Sequence, residues 1–364
     1  MKKVMVVFGT RPEAIKMCPL VNELNKDSYF KTVVCLTGQH RQMLNQVLDC
    51  FQVTPDYNLD IMKKNQTLFD ITAGILTGMK GILEKERPDI VLVHGDTSTT
   101  FVTSLACFYL NIPVGHVEAG LRTYDLEAPF PEEFNRQAVG ITAHYHFAPT
   151  ETARQNLLRE GKKEDRIYVT GNTVIDALKT SIKKEYNHPV LEWAKGDRLV
   201  LMTAHRRESL GEPLYQIFRG IKRVLDEFKN VKLVYPIHLN PVVRDAAQSV
   251  FGDHDQVKLI EPLDVLDFHN FINHAELVLT DSGGIQEEAP SLGKPVLVLR
   301  NTTERPEGVT AGTLKLVGTE EENVYREFHN LLTNREEYER MSHASNPYGD
   351  GTACKQIVDI LKCT

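Results

Sequence analysis

Short, near-continuous apolar runs alternate with longer stretches of mixed apolar and polar residues from one end of the chain to the other. Runs such as Ile90-Val91-Leu92-Val93 and Pro295-Val296-Leu297-Val298-Leu299 lack polar alternation, so they suit strands buried on both faces. Such strands belong to parallel sheets with helices on each side. The pattern predicts strands at 3–8, 31–37, 89–93, 113–117, 143–148 and 166–169 in the first half. In the second half it predicts 198–203, 231–236, 257–260, 276–280, 295–299 and 314–317. Strand–helix alternation repeated in this way predicts an α/β fold of two doubly wound domains. The break falls within 170–196, where Gly171-Asn172, Lys183-Lys184-Glu185 and Pro189 precede a new strand at Arg198. The expected domains are 1–170 and 171–351. The segment from Thr352 reads as a helix after the breaker Pro347-Tyr348-Gly349-Asp350-Gly351 and is expected to pack back on the first domain.

Composition narrows the function classes. A chain of 364 residues exceeds one ordinary core and fits two domains of roughly 150–200 residues. No apolar run approaches the roughly 20 residues of a membrane span. Met1 to Phe8 looks at first like the start of a signal peptide, but the apolar run stops at Gly9 and meets Arg11 and Glu13. It reads as a buried first strand, which predicts a cytoplasmic protein with no membrane partner. The six cysteines (Cys18, Cys35, Cys50, Cys107, Cys354, Cys363) form no close pair, against a disulfide scaffold or a structural zinc site. The net charge of −7 argues against nucleic acid. An anionic ligand then needs a local cluster of cations and backbone N–H groups.

Four sets of residues can carry chemistry. The first follows strand one: Gly9 permits a tight turn, Thr10 and Glu13 fit a capping box, and Arg11 stands at the carboxyl end of a strand, where open α/β sheets bind ligands. The competing reading is an ordinary βα turn with a solvated arginine. Pro19 predicts a kink in the following helix. The second is Asp281-Ser282-Gly283-Gly284, between a buried strand and a helix. Bare N–H groups there suit a phosphate, Ser282 can cap the helix or bond an oxygen, and Glu288 suits a ribose diol. A plain Gly-Gly turn is the alternative. The third is cationic: His205-Arg206-Arg207, Arg300 to Glu307, and His238, each after a strand of the second half. The fourth is acidic: Asp96 and Glu118 follow strands, and Glu132 and Glu133 open a helix. Carboxylates gathered in one site have their proton affinities pushed apart, which suits paired acid and base work. A helix cap for Asp96, and a salt bridge to Arg122 or Arg136 for the glutamates, are the alternatives. His94, His116, His144 and His146 suggest a metal only weakly, since no His-x-x-x-His helix pair appears. No metal and no cofactor are expected.

With these segments in order, the chain resembles the non-hydrolysing UDP-N-acetylglucosamine (UDP-GlcNAc) 2-epimerases along essentially its whole length. The marks are FGTRPEAIK near the start, TGQHRQML at 37–44, HGDT at 94–97, HVEAGLRT at 116–123 and PFPEEFNR at 129–136. They continue with TAHRRES at 203–209, YPIHLNP at 235–241, TDSGGIQEEAPSLGKPVLVLR at 280–300 and TTERPEG at 302–308. The resemblance implies two Rossmann-like domains facing a cleft, as in B-type glycosyltransferases, in a homodimer. It implies Asp96, Glu118, Glu132 and His205 as catalytic residues. Arg11, Lys16, Arg136, Phe268, Ser282, Gly283, Gly284, Glu288 and Arg305 would bind substrate, with the nucleotide mainly on the second domain. A second, activating UDP-GlcNAc would engage Gln39, His40, Gln42, Gln66, Arg206 and His238; Asn65 departs from the arginine common there.

The implied reaction is reversible inversion at C2 of UDP-GlcNAc, giving UDP-N-acetylmannosamine (UDP-ManNAc) for cell-surface polysaccharide synthesis. It would proceed by loss of UDP to 2-acetamidoglucal and re-addition. Neither a Walker A loop nor a GxGxxG fingerprint is present. A glycosyltransferase of the same fold, a hydrolysing epimerase and a catalytically inactive UDP-sugar sensor are the competing readings. Hydrolysing relatives tend to carry a His-Gly-Gly-Glu type segment where this chain has HVEAGLR.

Overall fold

Thirteen strands form two parallel sheets in the computed structural model, which describes residues 1–38, 41–63 and 65–364, with only the backbone of residues 41–43 and 207. One unit comprises Met1–Thr180 with Tyr348–Thr364, the other Ser181–Pro347. The first sheet contains β1 (Lys2–Phe8), β2 (Phe30–Leu36), β3 (Tyr57–Asn58), β4 (Ile90–His94), β5 (Val114–Val117), β6 (Tyr145–Ala148) and β7 (Ile167–Val169). Its order is β3-β2-β1-β4-β5-β6-β7, so the winding reverses between β1 and β4. The second contains β8 (Arg198–Thr203), β9 (Val231–Pro236), β10 (Val257–Ile260), β11 (Leu277–Thr280), β12 (Val296–Val298) and β13 (Leu314–Leu316). Its order is β10-β9-β8-β11-β12-β13, with the reversal between β8 and β11. Ligands of open α/β sheets bind at such reversals, beyond the carboxyl ends of the strands.

The apolar runs fold as they do because both faces of each central strand are covered. In the second unit, Val200, Met202, Leu277, Leu279 and Leu297 join one core cluster. Their immediate neighbours Leu201, Val278, Val296 and Val298 join another. Side chains alternate across a strand, so each cluster lies on its own face of the sheet. Burying each such side chain stabilises the fold by about 1.5–3 kcal/mol.

Local signals hold at the helix starts. Thr10 and Glu13 close a capping box on the helix Arg11–Asn25, which continues through Pro19. A Cβ at Gly9 would overlap the hydroxyls of Thr37 and Thr99, so close approach demands the glycine. The C-terminal helix spans Ala353–Cys363 and belongs to the first unit. Asp176 caps it from outside, accepting from Ala353 N at 3.2 Å and Cys354 N at 3.0 Å. Among the described residues no helix is long and apolar enough to cross a membrane.

Candidate active site

In the first unit the expected acids stand at the carboxyl ends of β4 and β5, next to the winding reversal. Glu118 follows β5 in a left-handed backbone conformation (φ 62°), uncommon for a residue with a side chain. Its Oε2 pairs with Lys16 Nζ, accepts from Asn172 Nδ2 at 2.8 Å and lies 3.6 Å from His94 Nε2. Burial pushes the carboxyl up, but Lys16 and His94 outweigh it and hold it well below the usual carboxylate range. Asp96 Oδ2 accepts from Arg136 Nη2 at 2.6 Å, and Asn135 Nδ2 steadies its backbone carbonyl at 2.9 Å. Thus Lys16 and Arg136, expected among the substrate-binding residues, each meet one of the expected acids, across 102 and 40 residues of chain respectively.

Glu132 and Glu133 divide roles. Glu133 is buried and accepts from Thr123 N and Tyr124 N, both at 3.0 Å, and from Gln137 Nε2 at 2.8 Å. It clamps the preceding loop onto the helix Glu132–Thr142. Glu132, half-buried in the first turn of that helix, makes no hydrogen bond or ion pair with the described residues, so its carboxylate is left for other work. Of the salt bridges proposed for these glutamates, Arg136–Glu133 forms at 3.3 Å, whereas Arg122 is taken by Glu160 at 2.6 Å.

In the second unit the cationic segments meet at the reversal between β8 and β11. Asp281, fully buried, accepts from His205 N at 2.5 Å and Arg206 N at 2.7 Å. His205 stacks on His238 with ring centroids 5.0 Å apart and planes at 6°. Burial holds the His205 imidazole below its ordinary value; Asp281 opposes this, while His238 and Arg206 add to it. A Cβ placed on Gly283 would lie 3.8 Å from both Arg206 Nη2 and Arg305 Nη2. Two guanidiniums therefore flank the bare Gly-Gly turn, which suits an anion. Arg305 is itself held by buried Glu287, and Arg300 by Glu208 and Glu304, both at 2.7 Å. Glu288 lies 3.5 Å from His269 Nε2, whose Nδ1 bonds Ser181 Oγ at 2.6 Å. Phe268 packs partly buried against the core.

The sequence that builds these two sets of groups matches a known family. The model of the UDP-N-acetylglucosamine 2-epimerase family matches residues 22–362. The chain belongs to the UDP-N-acetylglucosamine 2-epimerase family. It is 61% identical to the UDP-N-acetylglucosamine 2-epimerase of Bacillus subtilis (strain 168), over 99% of this chain and 94% of that protein. It is 54% identical to the enzyme of that name from Escherichia coli (strain K12), over 99% and 98%. A solved structure of the UDP-GlcNAc 2-epimerase from Neisseria meningitidis, bound to UDP-GlcNAc, covers all of both chains at 49% identity with a TM-score of 0.89. The protein is accordingly an isomerase of the non-hydrolysing kind, with the two-domain α/β fold of that family.

One expected local role differs in the structure, and other expected residues take definite neighbours. Ser282 does not cap the helix Ile285–Ser291: its N-cap is Gly284, already in helical conformation, and Ser282 N donates instead to Thr280 Oγ1 at 3.0 Å. Arg206, expected in an activating site, stands beside Gly283. Both ends of Gln66 bind its own loop, Nε2 to Ile61 O at 2.8 Å and Oε1 from Lys63 N at 3.1 Å. Gln39 and His40 lie outside the described residues, as does the Gln42 side chain. Asp281 and Asn172 were missed as site residues, because their roles come from bonds to loops 76 and 54 residues away in sequence. Among the described residues no group of three or more His, Cys, Asp or Glu is arranged to hold a metal ion.

Proposed function

We propose that this chain interconverts UDP-GlcNAc and UDP-ManNAc by proton transfer at C2, without a cofactor. The observation that carries the reading is the pairing of Glu118 with Lys16 and of Asp96 with Arg136 at neighbouring strand ends. A carboxylate kept ionised beside a cation is free to accept a proton, and a second acid can return one. In the α-gluco sugar the C1 oxygen and H2 are both axial. A base takes H2, the C1–O bond breaks, and its electron pair leaves with UDP. Protonation of 2-acetamidoglucal on the opposite face, with return of UDP to C1, gives the manno epimer. Asp96, Glu118 and Glu132 act on the sugar. His205, Arg206, Arg305, Arg11 and the Gly283-Gly284 turn hold the diphosphate, Glu288 the ribose and Phe268 the uracil. The reading extends to a cytoplasmic homodimer that supplies N-acetylmannosamine for surface polysaccharide and is activated by a second substrate molecule. Supporting it are the named relatives and the cations around Gly283.

Proton NMR of the reaction in D₂O tests it: the epimerised UDP-sugar carries deuterium at C2 and stays nucleotide-linked. Protium retained at C2 excludes the mechanism. Stoichiometric free UDP and N-acetylmannosamine point to hydrolysis.

A further inference from the structure

Glu118 is bonded asymmetrically. Among the described residues, the side-chain contacts to it converge on Oε2: Lys16 Nζ from the first helix, Asn172 Nδ2 at 2.8 Å from beyond β7, and His94 Nε2 at 3.6 Å from the end of β4. No hydrogen bond or ion pair reaches Oε1 from the described residues, and a Cβ placed on Gly95 would lie 3.5 Å from it. The carboxylate thus has a fixed side and an open side. Two further observations say that the fixed side is built for a purpose. His94 is buried, and its Nε2 has no hydrogen-bond partner, a costly arrangement unless something occupies that nitrogen during the working cycle. Asn172 is buried too, with its backbone N–H donated to Tyr348 O at 2.7 Å and its side-chain oxygen accepting from Val174 N at 3.2 Å. Its amide has therefore only one orientation available when it meets Glu118.

The geometry points to Asn172 and His94 as positioning residues for Glu118. They pin Oε2 so that Oε1 is the oxygen that exchanges the sugar's C2 proton. Asn172 supplies a neutral donor at fixed distance. His94 supplies a donor that is 3.6 Å away at rest and comes within bonding distance when Oε2 moves by less than 1 Å. His94 thereby favours the charged carboxylate from the Oε2 side, and Oε1 is left to gain or lose the proton. The two groups act through Glu118 and touch no reacting atom themselves. This rests on the proposed C2 proton transfer.

The test is the pH profile of kcat, paired with ¹³C NMR titration of the Glu118 carboxyl, assigned by its loss in Glu118→Gln. Asn172→Asp keeps the cap oxygen but sets a like charge against Oε2. His94→Phe removes the nitrogen, and His94→Gln restores a donor near the same place. Among the described residues, Lys16 and His94 are the charged or titratable groups that act most on Glu118, so Lys16 stays unchanged throughout. Asn172→Asp and His94→Phe are expected to move the acid limb of kcat and the carboxyl titration together to higher pH. Each should lower kcat at least 10-fold, with KM for UDP-GlcNAc within about threefold of wild type, and His94→Gln should recover most of the loss. An unmoved titration in folded Asn172→Asp and His94→Phe, alongside an active wild type, overturns the inference and leaves the C2 reading standing. A wild type that shows no C2 exchange overturns both.

Discussion

Asp281→Asn tests how the second unit prepares for a diphosphate. Asparagine keeps the shape and one acceptor oxygen for the two backbone N–H groups, and it removes a fully buried charge. Asp281 Oδ1 lies 3.7 Å from His205 Nδ1. Opposite unit charges at that distance attract by about 4.5 kcal/mol at an effective dielectric of about 20, and by about 1 kcal/mol in bulk water. The His205 side chain is 40% exposed, so solvent screening favours the lower end, about 1–2 kcal/mol. The sign follows from the opposing causes: burial lowers the imidazole's proton affinity and Asp281 raises it, so losing Asp281 lowers it further. A protonated His205 then forms less readily beside the bound anion. UDP affinity is expected to fall about 5- to 30-fold, at about 1.4 kcal/mol per factor of ten. Proton uptake on binding, measured by calorimetry in buffers of different ionisation enthalpy, should decrease as well. Wild-type affinity within twofold and unchanged proton uptake in a folded variant would refute the reasoning.

Glu132→Gln should lower kcat by roughly 10²–10⁴-fold with little change in thermal stability. The adjacent Glu133→Gln should instead cost about 2–4 kcal/mol of stability, read from urea unfolding, because it disturbs a buried clamp; the reverse pattern would invert the two assignments. Gly284→Val, whose Cβ would lie 3.4 Å from Glu288 Oε1, should weaken UDP at least 10-fold by calorimetry, and full affinity would remove the turn from the site. His116 gives a pH dependence with a definite sign. Burial lowers it from 6.5 to about 3, so below pH 6.5 the unfolded chain binds a proton that the folded chain refuses. Its contribution to stability therefore falls by about 2.3 kcal/mol between pH 6.5 and 4.5. His116→Gln should flatten that slope in urea midpoints, and an equally steep slope would exclude His116 as the source.

The strands were legible because the sheets are buried on both faces, which leaves continuous apolar runs. Twelve of the thirteen appear within two residues of their expected bounds. β3 was missed: Tyr57–Asn58 is two residues long, follows Asp56, and pairs only with Cys35 and Leu36. No periodicity exists in so short a piece. The Thr10–Glu13 box was legible because capping is local. Ser282 failed as a cap because Gly283 and Gly284 let the chain enter the helix later than its polar side chain suggests. The candidate site was legible as residue types at strand ends, and Arg136 was legible as a partner for an acid, but the contact of Asn172 with Glu118 was not. Glu118 meets Asn172 only because β7 follows β6 at the edge of the same sheet, a fact of topology that spacing does not carry. The division of Glu132 from Glu133 is likewise set by a loop folding back onto one of them.

An acidic chain that binds a dianion needs an explanation beyond net charge, since the cationic groups of the second unit do not form a positive surplus. Arg206, Arg300 and Arg305 stand among Asp281, Glu208, Glu287 and Glu304. Arg300 holds Glu304 down to about 2 against the upward push of burial, so that carboxylate stays charged. Ion pairs of this kind add little to stability, because desolvation offsets their attraction. What they do supply is orientation. A guanidinium fixed by a carboxylate behind it presents its remaining N–H groups in one direction and loses little entropy on meeting a phosphate. The first unit repeats the construction with the signs exchanged: Lys16 behind Glu118 and Arg136 behind Asp96 leave one carboxylate oxygen of each acid unpinned by the cation. In the proposed site, each unit thus sets a charge assigned to the ligand against a partner of opposite sign. Removing a rear partner is therefore expected to perturb binding or turnover through geometry and proton affinity before it perturbs the fold.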